Sequence, residues 1–442
     1  MKKNIALVSL GCDKNRVDSE RALYNILDSG FSLVDDYASA DVIMVNTCAF
    51  IESARKEAID TILEMAEYKS TGKCKKLIVT GCLPQKHINE IKDELPEVDA
   101  FFGVKDYDSI GREVIELFDK DGQIVKVERQ DGGTKTKRIL TTPQHYAFLR
   151  IADGCNNKCS YCTIPSIRGG YVSEPFERVI EEAKGLVNSG VKELILVAQD
   201  VTRYGQDLYG EMRLVPLLKE LSKLEVQWIR LMYCYPELVT DELLEEIAQN
   251  HKIAKYIDIP LQHVSDKILK AMNRRTTLLS SKDLMEKIKK KGKNIAVRTT
   301  FMVGFPGETE DDFSALCDFV ALYKPAHIGV FAFSKEDGTA AAKLKGAVSS
   351  KVKQERVNKL GKLHLENCRE RNETIVGKEV EVLYEEIDFD KNMFVGRMEY
   401  DAPDIDTKVY FTGDFADVGN MYKVKITGYE DYDLLGEMVL IS

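Results

Sequence analysis

Between residues 145 and 333 six short apolar runs, YAFLRI, ELILVA, QWIRLM, YIDIPL, IAVRTTFMVGF and HIGVFAF, alternate with amphipathic stretches. Strands that return through helices to parallel neighbours produce this alternation, so the pattern predicts six βα-type repeats. Six strands are too few for the closed eight-stranded barrel but suffice for an open one. In parallel barrels the chemistry sits where the strands end, which makes the residues just after each run the candidates.

Two further regions flank this one. NIALVSL, DVIMV and KLIVT are short β-like runs separated by helix-patterned stretches at 17–27 and 51–68, the spacing of βαβ units in a parallel α/β domain. The opening MKKNIALVSLGC mimics a signal peptide. Its apolar stretch is short and polar DKNR follows at once, so it reads better as a first buried strand. Residues 119–138, polar and turn-rich, are expected to close the first domain as a hairpin or linker. After a helix-like segment at 350–372 come VEVLYEEI, MFVGRMEY, KVYF, YKVKITGY and EMVLI, five short runs that predict a small OB-like antiparallel β-barrel. The expected domains are therefore 1–140, 141–372 and 373–442. Composition agrees with a globular chain: 44% hydrophobic and 30% charged residues with only 11 Pro in 442 exclude collagen-like and largely disordered readings. No apolar run reaches the roughly 18 residues of a membrane helix. With no export signal, a cytoplasmic protein is expected.

Ten cysteines in such a chain argue for metal binding or catalysis rather than a disulfide framework. Cys155, Cys159 and Cys162 form a CxxxCxxC immediately after the first barrel run. Three thiolates in one loop can hold three irons of a 4Fe-4S cube and leave the fourth open to a substrate or cofactor. Structural zinc normally takes four protein ligands, and no partner pair lies nearby. A second set is dispersed: Cys12, Cys48 and Cys82 each follow one of the N-terminal runs. Residues just beyond parallel strand ends converge on one sheet edge, so this is a second candidate three-thiolate site. Cys74, Cys234, Cys317 and Cys368 share no such pattern and are not assigned to iron. His145 and His263 are lone histidines, expected to be structural. Gln199, Asp200, Tyr233, Gln262 and Arg298 lie on or beside strand ends, and the Gly304 loop GFPGET could bring backbone close to a cofactor.

The CxxxCxxC with Tyr161 before its last cysteine, at the top of an open six-stranded barrel, resembles the radical S-adenosylmethionine (SAM) superfamily. The whole chain resembles its methylthiotransferase family, with a three-cysteine domain, a radical SAM barrel and a C-terminal TRAM β-barrel. GCDKNRVDSE, NTCAFIESARKEAI, GCNNKCSYCTIPSIRG, VAQDVTRYG, YCYPELVTDEL and DIPLQHVSDKILKAMNR are most similar to the RimO-type branch. Asp13 departs from it, since Pro is usual there. The resemblance implies β-methylthiolation of an aspartate of ribosomal protein S12. It implies two 4Fe-4S clusters, one on Cys155, Cys159 and Cys162 that cleaves SAM to a 5′-deoxyadenosyl radical and an auxiliary one on Cys12, Cys48 and Cys82. Tyr161, Gln199, Arg298 and Gly304 become candidate cofactor contacts, with Tyr161 beside the adenine. A sulfur donor and a low-potential electron donor, flavodoxin- or ferredoxin-like, are implied partners.

Charge bears on the substrate. Residues 375–442 carry 6 Lys and Arg against 16 Asp and Glu, which accounts for the net charge of −10 of the entire chain. Such a surface repels phosphate backbones and favours a basic protein, so tRNA is the less expected partner. Two other readings remain open at this point: a tRNA methylthiotransferase of the same family, and a non-catalytic iron-sulfur electron carrier.

Overall fold

A computed structural model describes residues 2–104, 107–120, 122–127, 137–292 and 294–439. Half of the hairpin or linker expected at 119–138 lies outside the described residues, as does the end of the last expected run; within the described part, Ile124–Lys126 is not hairpin or linker but a strand of the parallel sheet. The chain forms two compact units. The first comprises Met1–Thr141, Asp153–Asn157 and Cys162–Glu174; the second comprises Thr142–Ala152, Lys158–Tyr161 and Pro175–Ser442.

The first unit is built on a six-stranded parallel sheet. Its strands are β1 (Asn4–Ser9), β2 (Ser32–Leu33), β3 (Val42–Thr47), β4 (Lys76–Gly81), β5 (Ala100–Phe102) and β6 (Ile124–Lys126), in the order β2-β1-β3-β4-β5-β6. Helices α1 (Asp13–Asp28), α2 (Glu52–Thr71), α3 (Cys82–Ile91), α4 (Ile110–Glu116) and α5 (Ile164–Arg168) accompany it. Both sheet faces are buried. Ile43, Val45, Leu77 and Val79 point into one core with Ile62, Leu83 and Ile167, while Val42, Met44 and Ile78 point into the other with Leu23 and Ile110. Double-sided burial is why these strands read as unbroken apolar runs.

The second unit holds the barrel and the tail. Strand β7 is Tyr146–Arg150, and the chain also carries the very short β8 (Ala152–Asp153) and β9 (Val172–Ser173). The remaining barrel strands are β10 (Glu193–Val197), β11 (Trp228–Leu231), β12 (Tyr256–Asp258), β13 (Ala296–Val303) and β14 (His327–Ala332). Parallel ladders join β7-β10-β11 and β12-β13-β14, and an isolated parallel bridge ties Ile229 of β11 to Ile253, three residues before β12. All six expected runs are therefore strands of one parallel barrel. Among the described residues no ladder joins β14 to β7, so the barrel is open. β12 is shorter than YIDIPL suggests because Pro260 has no N–H to donate.

The tail strands β15 (Glu379–Asp388), β16 (Met393–Arg397), β17 (Val409–Thr412), β18 (Met421–Glu430) and β19 (Asp433–Met438) close a five-stranded barrel in the order β15-β16-β17-β19-β18. β19 begins earlier than EMVLI implies. Asp431, at φ 52°, makes a two-residue turn that pairs Glu430 with Asp433 and starts the last strand at once. Among the described residues no helix is long and apolar enough to cross a membrane.

Loops and side chains of the tail pack on the barrel's strand starts. Glu193 Oε1 accepts from Arg230 Nε at 2.6 Å and its other oxygen accepts from Arg397. Tyr256 Oη donates to Asp406 at 2.8 Å, Tyr146 Oη donates to Asp404 at 3.2 Å, and His327 Nε2 lies 2.9 Å from the Tyr400 carbonyl. One end of the barrel is occupied by tail carboxylates, which leaves the strand C-terminal ends for chemistry.

Candidate functional site

In the first unit β1, β3 and β4 are immediate neighbours in the sheet, with Ser9 opposite Asn46 and Thr47 opposite Gly81. The cysteines that follow them are brought together. Cys12 caps the N-terminus of α1 in an extended conformation, Cys48 comes directly after β3, and Cys82 is the first residue of α3. A Cβ on Gly11 would lie 3.0 Å from Cys48 Cβ and 2.9 Å from Asn15 Nδ2. Asn15, fully buried, braces the edge: its Nδ2 donates to Thr47 O at 3.0 Å, and Cys82 Sγ lies 3.5 Å from its Oδ1.

The three thiols feel one another electrostatically. Burial pushes the Cys82 thiol up to about 12, Arg168 opposes that shift, and Cys12 and Cys48 add to it. Burial likewise raises Cys48. Metal would have to displace these protons, and the cation together with the N-terminal ends of α1 and α3 favours the anionic form. Asp13 occupies the first turn of α1, a position that suits either Pro or an acidic residue, so its departure from the usual Pro leaves the helix start intact.

Gly81 is indispensable to this geometry. At φ 99° it is in the left-handed region, and a Cβ there would meet Asn46 Oδ1 at 2.2 Å and Thr47 O at 2.5 Å. Gly81→Ala is expected to cost about 1–3 kcal/mol from backbone strain alone, and to displace Cys82. Urea unfolding with iron quantitation checks this; parental stability with full iron would refute it.

The CxxxCxxC loop is shared between the units. Cys155 and Cys162 belong to the first, where the Asn157 amide lies 3.4 Å from Cys155 Sγ and the Ile164 amide 3.4 Å from Cys162 Sγ. Cys159 and Tyr161 belong to the second. There the Ser160 amide donates to Met272 O at 2.9 Å and its hydroxyl to Ala271 O at 2.8 Å, anchoring the middle of the loop. Tyr235 and Cys159 interact electrostatically, and the Arg274 guanidinium stacks 4.4 Å over the Tyr235 ring while donating to Pro260 O at 2.7 Å. The Tyr161 ring meets Phe305 edge-on at 6.5 Å. Cysteines outside any disulfide, with amide and cationic neighbours, are the donor set that iron-sulfur clusters use. Among the described residues no three His, Cys, Asp or Glu side chains are arranged around a single metal ion.

Other expected site residues fall in different places. Gln199 is half-buried two residues past the end of β10. Gly304 directly follows β13 at φ 72°, where a Cβ would strike Lys353 Cγ at 2.3 Å; Lys353 Nζ donates to Phe333 O at 2.7 Å. Tyr233 and Gln262, just after β11 and β12, carry φ of 61° and 70°. Strained non-glycine backbone of this kind clusters at functional sites. Arg298 needs correction. It is the third residue of β13, near the strand start, and pairs with Asp258 at 3.3 Å and with the tail's Asp406 at 3.3 Å. Its charge is committed away from the barrel mouth. Asp200 is buried and bonded to Thr202. His145 faces Glu385 and His263 Nδ1 accepts from the Ser265 amide, both structural arrangements. Cys74, Cys234 and Cys368 are buried free thiols, and Cys317 is partly buried.

Sequence reasoning passed over Asn15, Arg168, Tyr235 and Arg274. All four stand inside motifs that carried the resemblance, and the signal available was their type: Asn15, Arg168 and Tyr235 are polar or cationic residues within six positions of a cysteine, and Arg274 closes the DIPLQHVSDKILKAMNR motif.

Comparison with known proteins agrees with this architecture. Residues 149–320 match the radical SAM superfamily, 4–103 match Uncharacterized protein family UPF0004, and 376–439 match the TRAM domain. Among solved structures, a radical SAM methyltransferase, TsrM from Kitasatospora setae, superposes with a TM-score of 0.56 at 12% identity, covering 77% of this chain and 74% of its own. That likeness concerns the fold alone. Among curated proteins, "Ribosomal protein uS12 methylthiotransferase RimO" of Clostridium botulinum (strain Eklund 17B / Type B) is 47% identical over 439 residues, 98% of each chain. The protein of the same name from Desulforamulus reducens is 44% identical over 440 residues, 98% of this chain and 99% of its own. With this similarity running along nearly the full length of both partners, the chain belongs to the RimO family of radical SAM methylthiotransferases.

Proposed function

We propose that this chain adds a methylthio group to the β-carbon of an aspartate of ribosomal protein uS12, with Cys155, Cys159 and Cys162 holding a SAM-binding 4Fe-4S cluster and Cys12, Cys48 and Cys82 an auxiliary one. The observation that carries the reading is the convergence of three free cysteines from adjacent strand ends, a donor set that SAM cleavage alone does not require. When bound, the clusters and SAM supply radical abstraction and a transferable sulfur, which an unactivated C–H bond needs.

The chain's own residues hold and orient. Backbone amides at Asn157 and Ile164 support two thiolates of the loop, and Tyr235 with Arg274 supports the third. Tyr161, Gln199 and Gly304 are the proposed cofactor contacts, near the C-terminal ends of barrel strands where small molecules bind in this architecture. A sulfur donor and a flavodoxin- or ferredoxin-like donor of low-potential electrons complete the set of partners.

The substrate assignment rests on the names of the full-length relatives and on charge. The tail barrel carries the acidic excess, and its loops expose Phe389 at 83% and Phe415 at 69% among aspartates. An acidic surface with aromatic anchors suits a basic ribosomal protein better than an RNA backbone. Incubation of the reconstituted enzyme with SAM, reductant and either uS12 or tRNA, followed by mass spectrometry, tests the assignment. One methylthio group on uS12 is expected; its appearance on tRNA alone would overturn the reading.

A further inference from the structure

Inside the first unit one guanidinium touches the flanks of both cysteine motifs. Arg168 lies six residues after Cys162, on α5, and is 1% exposed. Its Nη1 donates to both oxygens of Asp153, two residues before Cys155, at 3.2 Å each. Its Nη2 donates to Asn15 Oδ1 at 2.6 Å and Asp18 Oδ2 at 2.8 Å, on the helix that Cys12 caps. Asn15 Oδ1 is also the neighbour of Cys82 Sγ. Apolar residues of similar volume could often replace a buried ionic cluster without loss of stability, and what sets this one apart is that its bonds run between the segments bearing both cysteine motifs. Only a planar fork can serve Asp153 on one nitrogen and α1 on the other; lysine is a point charge and cannot.

We propose that Arg168 is a positioning residue that fixes the segments bearing Cys155 and Cys162 against the three-cysteine site and holds a permanent positive charge beside whatever occupies that site. This rests on the two-cluster reading above. The charge is well founded: burial opposes it, but Asp153 and Asp18, with Cys82 and Cys12, more than compensate. A fixed cation stabilises the reduced, more negative state of a neighbouring cluster and so raises its potential. The fork, by contrast, sets geometry, and a misplacement of about 1 Å can cost on the order of a hundredfold in rate.

The test uses full-length protein in which Cys155, Cys159 and Cys162 are alanine, leaving only the auxiliary site. Iron content and the midpoint potential by spin-resonance titration are measured for this parent, Arg168→Gln, Arg168→Lys and Asp18→Asn. Arg168→Gln is expected to keep iron and shift the potential downward, Arg168→Lys to shift it less, and Asp18→Asn to shift it upward. In the otherwise native enzyme Arg168→Lys is expected to cleave SAM while yielding at least about tenfold less methylthiolated product per deoxyadenosine. Unmoved potentials in Arg168→Gln with iron retained overturn the proposal, as does an unchanged product ratio in Arg168→Lys. Should Arg168→Gln fail to fold, Asp18→Asn decides: an upward shift supports the proposal and no shift overturns it. A parent empty of iron would instead overturn the two-cluster reading on which the proposal stands.

Discussion

Cys159→Ala is expected to abolish deoxyadenosine formation while roughly half of the iron remains, and Cys48→Ala to keep SAM cleavage while abolishing methylthio transfer. The reasoning is one of ligand count. A cube held by three thiolates has no spare protein ligand, so losing one leaves two irons exposed to exchange and loss. Cys159 is braced by Tyr235 and by the Ser160 bonds to Met272 and Ala271, all in the second unit. Cys48 is braced by the first unit, against Gly11 and beside Cys82. Because the supports are separate, each substitution should empty one site and spare the other. Iron and sulfide analysis of anaerobic protein, with chromatography of the SAM products, measures both. If either variant loses all its iron with an unchanged circular dichroism spectrum, the sites are not independent.

Glu193→Ala is expected to destabilise the second unit by about 3–5 kcal/mol, the penalty for orphaning buried charge. Glu193, Arg230 and Arg397 are all at most 2% exposed, and the carboxylate is the shared acceptor of both guanidiniums. Burial alone would raise its pKa, yet Arg230 and Arg397 outweigh that and hold it below the ordinary carboxylate value. Removing it leaves two buried cations facing each other, with Arg230 deprived of its carboxylate and Arg397 left only Glu385, 2.8 Å from its Nε. Arg397 lies on β16 and Glu193 on β10, so the loss falls on the seam between tail and barrel. A depressed folded pKa makes this contribution complete above the unfolded Glu value of about 4.3 and lost as pH falls through the depressed value. The stabilities of native and variant protein should therefore converge in acid. Urea unfolding across pH measures this, and a difference under about 1 kcal/mol at neutral pH would sink the argument.

Much of the architecture was legible because it depends on periodicity. The six barrel runs all became strands, since alternation of buried strand and amphipathic helix is a local property. Where local reading strayed, a specific interaction won. The turn at Asp431 started β19 early, and Pro260 cut β12 short. Arg298 was placed by its strand but not along it; its partner Asp406 lies 108 residues away in the tail, beyond the reach of any local pattern. The acidic tail was counted correctly, yet the count could not say that Asp406 and Asp404 are spent on Tyr256, Arg298 and Tyr146.

What the amino-acid order determined by itself was chemistry and rhythm: three thiols in an eight-residue loop, three more at strand ends, and the spacing of parallel βα units. What only the tertiary structure decided was adjacency. Sequence lists Cys12, Cys48 and Cys82 dozens of residues apart, whereas the sheet order β1-β3-β4 makes their strands consecutive neighbours. Arg168 could be read as a charged residue near a cysteine, but its four bonds to Asp153, Asn15 and Asp18 exist only because α5 packs into the core of the first sheet. The physical reason is that hydrophobic patterning specifies which face of an element is buried and carries no record of which distant element will cover it.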